Sequence, residues 1–380
     1  MNTPDEAQML DAISRWLERD VRAKVRELEH EDVYPEAMVE QMKEFGLFGA
    51  TIPQDYGGLG LPASTYARIV ALIAEVWMSL TGIFNSHLIM AAAVARYGTE
   101  EQKRRFLPKF ASGEIRGGLA LTEPDCGTDL QAIRTRAVRA GDGYVINGTK
   151  TWISNAPVAD AGIVFAYTDR AQKHKGMSAF YVDLNQPGVA RRTLEKMGAH
   201  ASPTGELSFD NVAVPEENRI GPEGEGFKIC MTHLNHTRLT CAAGGVGLAR
   251  AAREAAVAYA NQREQVGQKI GQFQMNQDLI AQMVVHEESA RVLVWRAAAL
   301  ADQGRPHALE TTIAKYSAAE AAAFNADAAL RILGAYGYST EFPVERYLRD
   351  AKSYQIVEGS SNILKLIIAQ DALGYRKANR

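Results

Sequence analysis

With 380 residues the chain is too long for one small hydrophobic core and fits about two or three packed units. An apolar fraction of 46% argues against disorder, and a net charge of -3 without a basic block argues against nucleic acid or an anionic membrane as main partner. Three cysteines, Cys126, Cys230 and Cys241, cannot all pair and form no Cys-x-x-Cys, which points to a reducing compartment and away from structural zinc.

The start, Met1 to Glu6, is polar and acidic and lacks the apolar core of a signal peptide. No apolar run is expected to reach membrane-spanning length, so the expected location is cytoplasmic. Up to about residue 113 the pattern is helical: Ile13, Trp16 and Leu17, then Val21, Val25 and Leu28, recur at helical spacing. Pro53 to Gly60 is a turn-rich break, and an apolar helical stretch from Tyr66 to Tyr97 is interrupted near 79–82. Thr99 followed by Gln102 predicts a capping box. Residues 114–226 shift to short β-type runs at 137–138, 144–146, 162–166 and 178–182, with Asp142-Gly143 and Asn147-Gly148 as hairpin-favouring turns. Residues 227–380 return to an Ala-rich helical pattern, densest between Ala314 and Ala328. The order is α, then a small β unit, then an α bundle.

Gly244-Gly245-Val246-Gly247 follows a helical run rather than a strand, so helix–helix contact is a better reading than a dinucleotide loop. His233 and His236 lack acidic or thiolate partners at ligand spacing; exposed or cofactor-edge side chains are expected, and no metal. Glu358 lies between the apolar Ile356-Val357 pair and the small residues Gly359, Ser360 and Ser361. A carboxylate in apolar surroundings loses hydration and becomes a stronger proton acceptor. Taken alone, the segment fits either a general base or an acid in a capping turn.

Three separated motifs, Thr122 to Asp129, Asn147 to Asn155 and the Glu358 segment, together resemble the acyl-CoA dehydrogenase family of flavoproteins from about residue 5 to about residue 376. The resemblance implies a mainly α fold: an N-terminal helical domain, a middle β-barrel-like domain and a C-terminal four-helix bundle. It further implies FAD, a homotetramer and electron-transferring flavoprotein as acceptor. By resemblance, Leu121, Thr122, Gly127, Thr128, Trp152, Ile153 and Ser154 contact the flavin, with Ser360 and Asn362 nearby. The same resemblance implies that Arg263 and Gln265 reach the cofactor from a neighbouring subunit, with Arg331 and Gly334 as further cofactor-side residues. Val266, Arg331, Ala335, Ser360 and Asn362 depart from the residues usual in the family. Thr81, Asn235, Arg238, Val357 and Gly359 are the expected substrate-side residues.

The implied reaction is α,β-dehydrogenation of an acyl-CoA thioester. Glu358 takes the α-proton while a hydride passes from the β-carbon to the flavin. Thr237 stands where other branches of the family carry the catalytic Glu, which fits the short- and medium-chain arrangement. Val357, in place of a common Tyr, predicts room for a branched, alicyclic or aryl acyl group beside ordinary short or medium chains. Members of the family that take glutaryl-CoA place an arginine near the position of Thr81 for the distal carboxylate, and its lack here implies, by the same resemblance, that a dicarboxylyl substrate is not expected. The alternative is a flavin monooxygenase or oxidase on the same scaffold, acting on a non-CoA compound.

Overall fold

The computed structural model describes residues 4–375, apart from the side chains of Pro4, Asn235 and His236. The first section holds α1 (Pro4–Trp16), α2 (Val25–His30), α3 (Glu36–Glu44), α4 (Ala63–Tyr97) and α5 (Glu100–Ala111). α5 begins at the expected capping box. The Gln102 amide donates to Thr99 Oγ1 at 3.2 Å, and Gln102 Oε1 accepts from the Thr99 amide at 2.9 Å.

α4 corrects one expectation: among the described residues it is a helix long and apolar enough to cross a membrane. However, 67% of its most apolar stretch is buried inside the protein, where it packs against α6 (Gly226–Gln262) as a core helix. Its break falls at Trp77 (φ -154°, ψ 103°), slightly ahead of the interruption expected near 79–82. A buried acid holds the break. Glu29 accepts from Trp77 Nε1 at 2.7 Å, from Ser79 Oγ at 2.8 Å and from the His200 amide at 2.6 Å.

The middle section comprises β1 (Gly117–Ala120), β2 (Arg136–Ala140), β3 (Gly143–Ser154), β4 (Ala161–Tyr167), β5 (Met177–Asp183), β6 (Val189–Thr193), β7 (Thr204–Pro215) and β8 (Arg219–Ile220). These form one sheet in the order β6-β7-β3-β2-β4-β5-β8, with β1 parallel to β4. Asp142-Gly143 lies at the β2–β3 reversal as expected, where Ala140 pairs with Gly143. Asn147-Gly148 is not a turn. β3 runs through it with a register shift between Ile146 and Gly148, a bulge that keeps β3 paired with both β2 and β7. A Cβ on Gly148 would come within 2.4 Å of Thr135 Oγ1, so only glycine fits there.

The last section contains α6, the small hairpin β9 (Glu264–Gln265) and β10 (Gln268–Lys269), α7 (Gln274–Asp302), α8 (Ala308–Leu333), α9 (Val344–Tyr354) and α10 (Ser361–Ala372). α6, α7 and α8 pack side by side, and α10 lies on α8. The glycine run in α6 makes close helix contact, as its setting implied: a Cβ on Gly247 would lie 2.1 Å from the Ala71 carbonyl oxygen. His233 corrects another expectation. It is 2% exposed beside the Tyr97 ring, because this face of α6 turns toward α4. His236 lies outside the described side chains, and no metal-ligating cluster occurs among the described residues.

Candidate active site

Glu358 occupies the turn between α9 and α10, with φ at 58° and Gly359 at 98°. A non-glycine residue in the left-handed region costs about 1–3 kcal/mol, so surrounding contacts must hold it there. Arg238 Nε, from α6, donates to the Glu358 carbonyl at 3.0 Å. Lys315 Nζ, from α8, donates to the Gly359 carbonyl at 2.8 Å. Glu320, also on α8, accepts from Gln355 Nε2 at 3.1 Å and from Ser361 Oγ at 2.6 Å, gripping both ends of the turn. Ser360 is the N-cap of α10, and Asn362 lies exposed in its first turn.

The apolar setting expected from Ile356 and Val357 needs correction. They are 67% and 43% exposed, because the turn leaves α9 with these side chains facing outward. The carboxylate itself is half-buried and is desolvated instead by packing against α6 and α8. The Thr237 hydroxyl lies within reach of both Glu358 Oε2 and the Leu234 carbonyl, the latter at 3.2 Å. With a single proton to donate, it serves the closer, charged acceptor. Burial raises the Glu358 pKa above the ordinary carboxylate value; the Thr237 hydrogen bond, Arg238 and Lys315 oppose that rise. The result is a carboxylate that holds a proton more tightly than an ordinary solvated one, which suits a proton acceptor.

The second group lies on the sheet. Trp152, expected beside the flavin, is 59% exposed, with φ at 59°, at a register shift of β3 between Lys150 and Ile153. The bulge turns this large aromatic face outward, where it is free to pack against a ligand ring. Ile153 is 4% exposed in the sheet core, so its side chain is unavailable and its backbone alone could touch a ligand. Ser154 is half-buried, while Gly127 and Thr128 are exposed on the loop after β1. The Leu121 side chain is buried and its carbonyl accepts from Lys150 Nζ at 3.0 Å; the Thr122 carbonyl accepts from the Thr151 amide at 2.9 Å. Lys150 also meets Glu123 Oε1 at 2.8 Å, with side chains 0% and 5% exposed. Glu123 further accepts from the Thr135 amide at 3.0 Å and the Arg134 amide at 2.5 Å. Burial works to raise Glu123, but the Lys150 charge and these donors outweigh it and hold the carboxyl below its usual range. This buried ion pair ties the loop to β3.

The remaining sequence-derived residues separate into two sets. Thr81 is 3% exposed and donates to the Met78 carbonyl at 2.7 Å, and Arg238 is 7% exposed and turned onto the Glu358 turn. The Asn235 side chain is outside the described residues. Arg263 stacks over Tyr336 at 5.6 Å, close to Gly334 at the end of α8, while Gln265 and Val266 stand exposed on the hairpin, Val266 at 93%. Arg331 pairs with Asp327 at 3.7 Å. At about 1.5 Å per residue, Arg331 lies roughly 24 Å along α8 from Lys315, so one chain does not bring this set to the Glu358 turn. Sequence reasoning missed Lys315, Glu320, Glu123 and Lys150 as site-forming residues and read Thr237 only as the absence of a Glu. A charged residue inside an Ala-rich core helix was the available signal for Lys315.

The residues fit a flavin: an outward indole on a strand bulge, exposed loop hydroxyls, and backbone groups of a loop anchored from below. Three family models match the chain: acyl-CoA dehydrogenase N-terminal domain over residues 3–114, middle domain over 118–212 and C-terminal domain over 224–373. The chain is 47% identical to a glutaryl-CoA dehydrogenase of Desulfococcus multivorans, covering 100% of this chain and 99% of the relative. It is 38% identical to the mitochondrial short-chain specific acyl-CoA dehydrogenase of Mus musculus, covering 98% of this chain and 92% of the relative. A solved glutaryl-coenzyme A dehydrogenase in complex with glutaryl-CoA superposes with a TM-score of 0.96 at 45% identity, covering 100% of this chain and 98% of that one. A turn that presents one basic carboxylate, an outward indole on a neighbouring sheet and matches along nearly the whole length converge: this chain belongs to the acyl-CoA dehydrogenase family, whose members are flavoproteins.

Proposed function

We propose that this protein desaturates a short- or medium-chain acyl-CoA thioester, with room for a branched, alicyclic or aryl acyl group, between its α- and β-carbons, with Glu358 as the base. The observation that carries the reading is the half-buried Glu358 carboxylate, held in a left-handed turn, with burial raising its pKa. Glu358 accepts the α-proton as the C–H bond electrons move into the new double bond. FAD, when bound, supplies the acceptor for the hydride that leaves the β-carbon. Leu121, Thr122, Gly127, Thr128, Trp152, Ser154 and the Ile153 backbone would hold it, with Ser360 and Asn362 close by. Arg263, Gln265, Arg331 and Gly334 would serve the cofactor of another copy, which their distance along α8 from the Glu358 turn supports. The Glu358 amide is the proposed donor to the thioester oxygen as it gains enolate character. A homotetramer, electron-transferring flavoprotein as acceptor and a cytoplasmic location complete the proposal; three buried free thiols suit a reducing compartment.

A glutaryl thioester is the second reading, favoured by likeness to relatives so named. It stands against the expectation drawn from Thr81, whose hydroxyl is turned to the Met78 carbonyl. Anoxic titration of the FAD-loaded protein with butyryl-, isobutyryl-, phenylpropionyl- and glutaryl-CoA decides between them. Flavin bleaching by at least one ester is expected, fastest with butyryl- or isobutyryl-CoA under the first reading. Failure with all four refutes the dehydrogenase reading, and turnover that needs oxygen would favour a monooxygenase.

The base also fixes a pH dependence. Its pKa lies above the usual carboxylate value, so the bleaching rate rises with pH through that raised pKa and levels off above it. Thr237→Val removes a hydrogen bond that favours the ionised form, so the rising limb moves to higher pH. A limb that stays put or moves to lower pH contradicts this assignment.

A further inference from the structure

Lys315 is 1% exposed in the first third of α8, on a helix whose buried face is mostly alanine, and its ammonium is spent on the Gly359 carbonyl at 2.8 Å. A buried lysine carries a heavy desolvation cost and is retained where its charge or donor is used. Here it meets the residue after the proposed base, in a turn whose two central residues have φ of 58° and 98°. Five residues further along the same helix, Glu320 binds Gln355 and Ser361 on either side of that turn. Arg238 takes the Glu358 carbonyl from the other wall. Successive carbonyls of residues 358 and 359 are thus drawn toward two cations on different helices. These contacts fix the backbone from which the Glu358 side chain projects, and the Thr237 hydroxyl meets its carboxylate.

We propose that Lys315 is a positioning residue for the proton-abstracting carboxylate, with α8 acting through Lys315 and Glu320 as the template that keeps the 355–361 turn in its left-handed form. The inference rests on the reading of Glu358 as base. Proton abstraction from carbon needs the acceptor in near-attack geometry, where a displacement of about 1 Å can cost about 100-fold. The groups facing Glu358 are Thr237 and Arg238 from α6, Lys315 from α8, and the buried Cys230 and Cys241 thiols, which burial pushes up to about 12 and so keeps neutral.

The test uses FAD-loaded wild type, Lys315→Met, Lys315→Arg and Glu320→Gln. Anoxic bleaching is followed with butyryl-CoA and glutaryl-CoA, binding with crotonyl-CoA, and amide hydrogen exchange over residues 355–361. Lys315→Met is expected to slow bleaching by about 10- to 100-fold, with crotonyl-CoA affinity within about threefold and exchange in the turn raised. Its pH limb should also move upward, since a cation beside the carboxylate is gone. Lys315→Arg should recover most of the rate. If Lys315→Met yields no folded holoenzyme, Glu320→Gln must still raise exchange in the same segment and slow bleaching. Bleaching within twofold of wild type with unchanged exchange, in whichever variant folds, overturns the proposal. A Glu358→Gln control that bleaches at wild-type speed instead overturns the base reading, leaving the exchange data to judge the clamp by itself.

Discussion

Glu358→Gln is expected to keep its flavin, bind acyl-CoA with near-wild-type affinity and lose bleaching by about 10²- to 10⁴-fold or more. The amide is nearly isosteric and can still meet the Thr237 hydroxyl, but it cannot take a proton from carbon. A transition-state acceptor removed in this way lowers the chemical rate and leaves ground-state binding largely intact. Because the backbone clamps from Arg238 and Lys315 grip carbonyls, they do not depend on the side chain replaced. Stopped-flow bleaching under anoxic conditions, paired with a crotonyl-CoA binding titration, checks both halves. Wild-type bleaching speed would mean that another group is the base.

Breaking the Glu123–Lys150 pair is expected to produce the largest loss of stability. Both side chains are essentially excluded from water, so Glu123→Gln leaves the Lys150 ammonium without its counter-charge. Removing one partner of a buried pair costs about 3–5 kcal/mol, which lowers the melting temperature by about 5 °C in a chain of this length. The loss concentrates in the loop whose Leu121 and Thr122 carbonyls are tied to β3, so FAD content should fall as well. The double variant Glu123→Gln, Lys150→Met removes the stranded charge and should recover part of the stability. Thermal melting and the flavin-to-protein absorbance ratio are the measurements. A single variant that melts within about 1 °C of wild type and retains full flavin would show that the pair is not holding the loop.

Much of the fold was legible because it follows from local rules. The capping box at Thr99, the β-type runs and the Ala-rich final helices depend on residues a few positions apart, and the structure places each where the pattern implied. Asn147-Gly148 failed as a turn because a bulge and a hairpin share the same glycine requirement; strand pairing on both sides of β3 chose the bulge. Strands usually bury their indoles, and only the motif resemblance placed Trp152 beside a flavin. A second register shift turned it outward instead, which no alternation of residue types shows in advance.

The chain order of helical, sheet and helical sections, and the choice of Glu358 as the carboxylate worth testing, came from the sequence by itself, through periodicity and through three motifs in a family's order. The tertiary structure alone decided the setting of that carboxylate: Thr237 against Oε2, Arg238 and Lys315 on successive carbonyls, and outward-facing Ile356 and Val357 in place of an apolar wall. It also decided that Glu29 shapes the break at Trp77 and that Glu123 and Lys150 anchor the loop after β1. The physical reason is common to all of these. Each is a contact between groups distant along the chain, whose energy exists only after packing has removed water from between them, and local residue patterns carry no record of it.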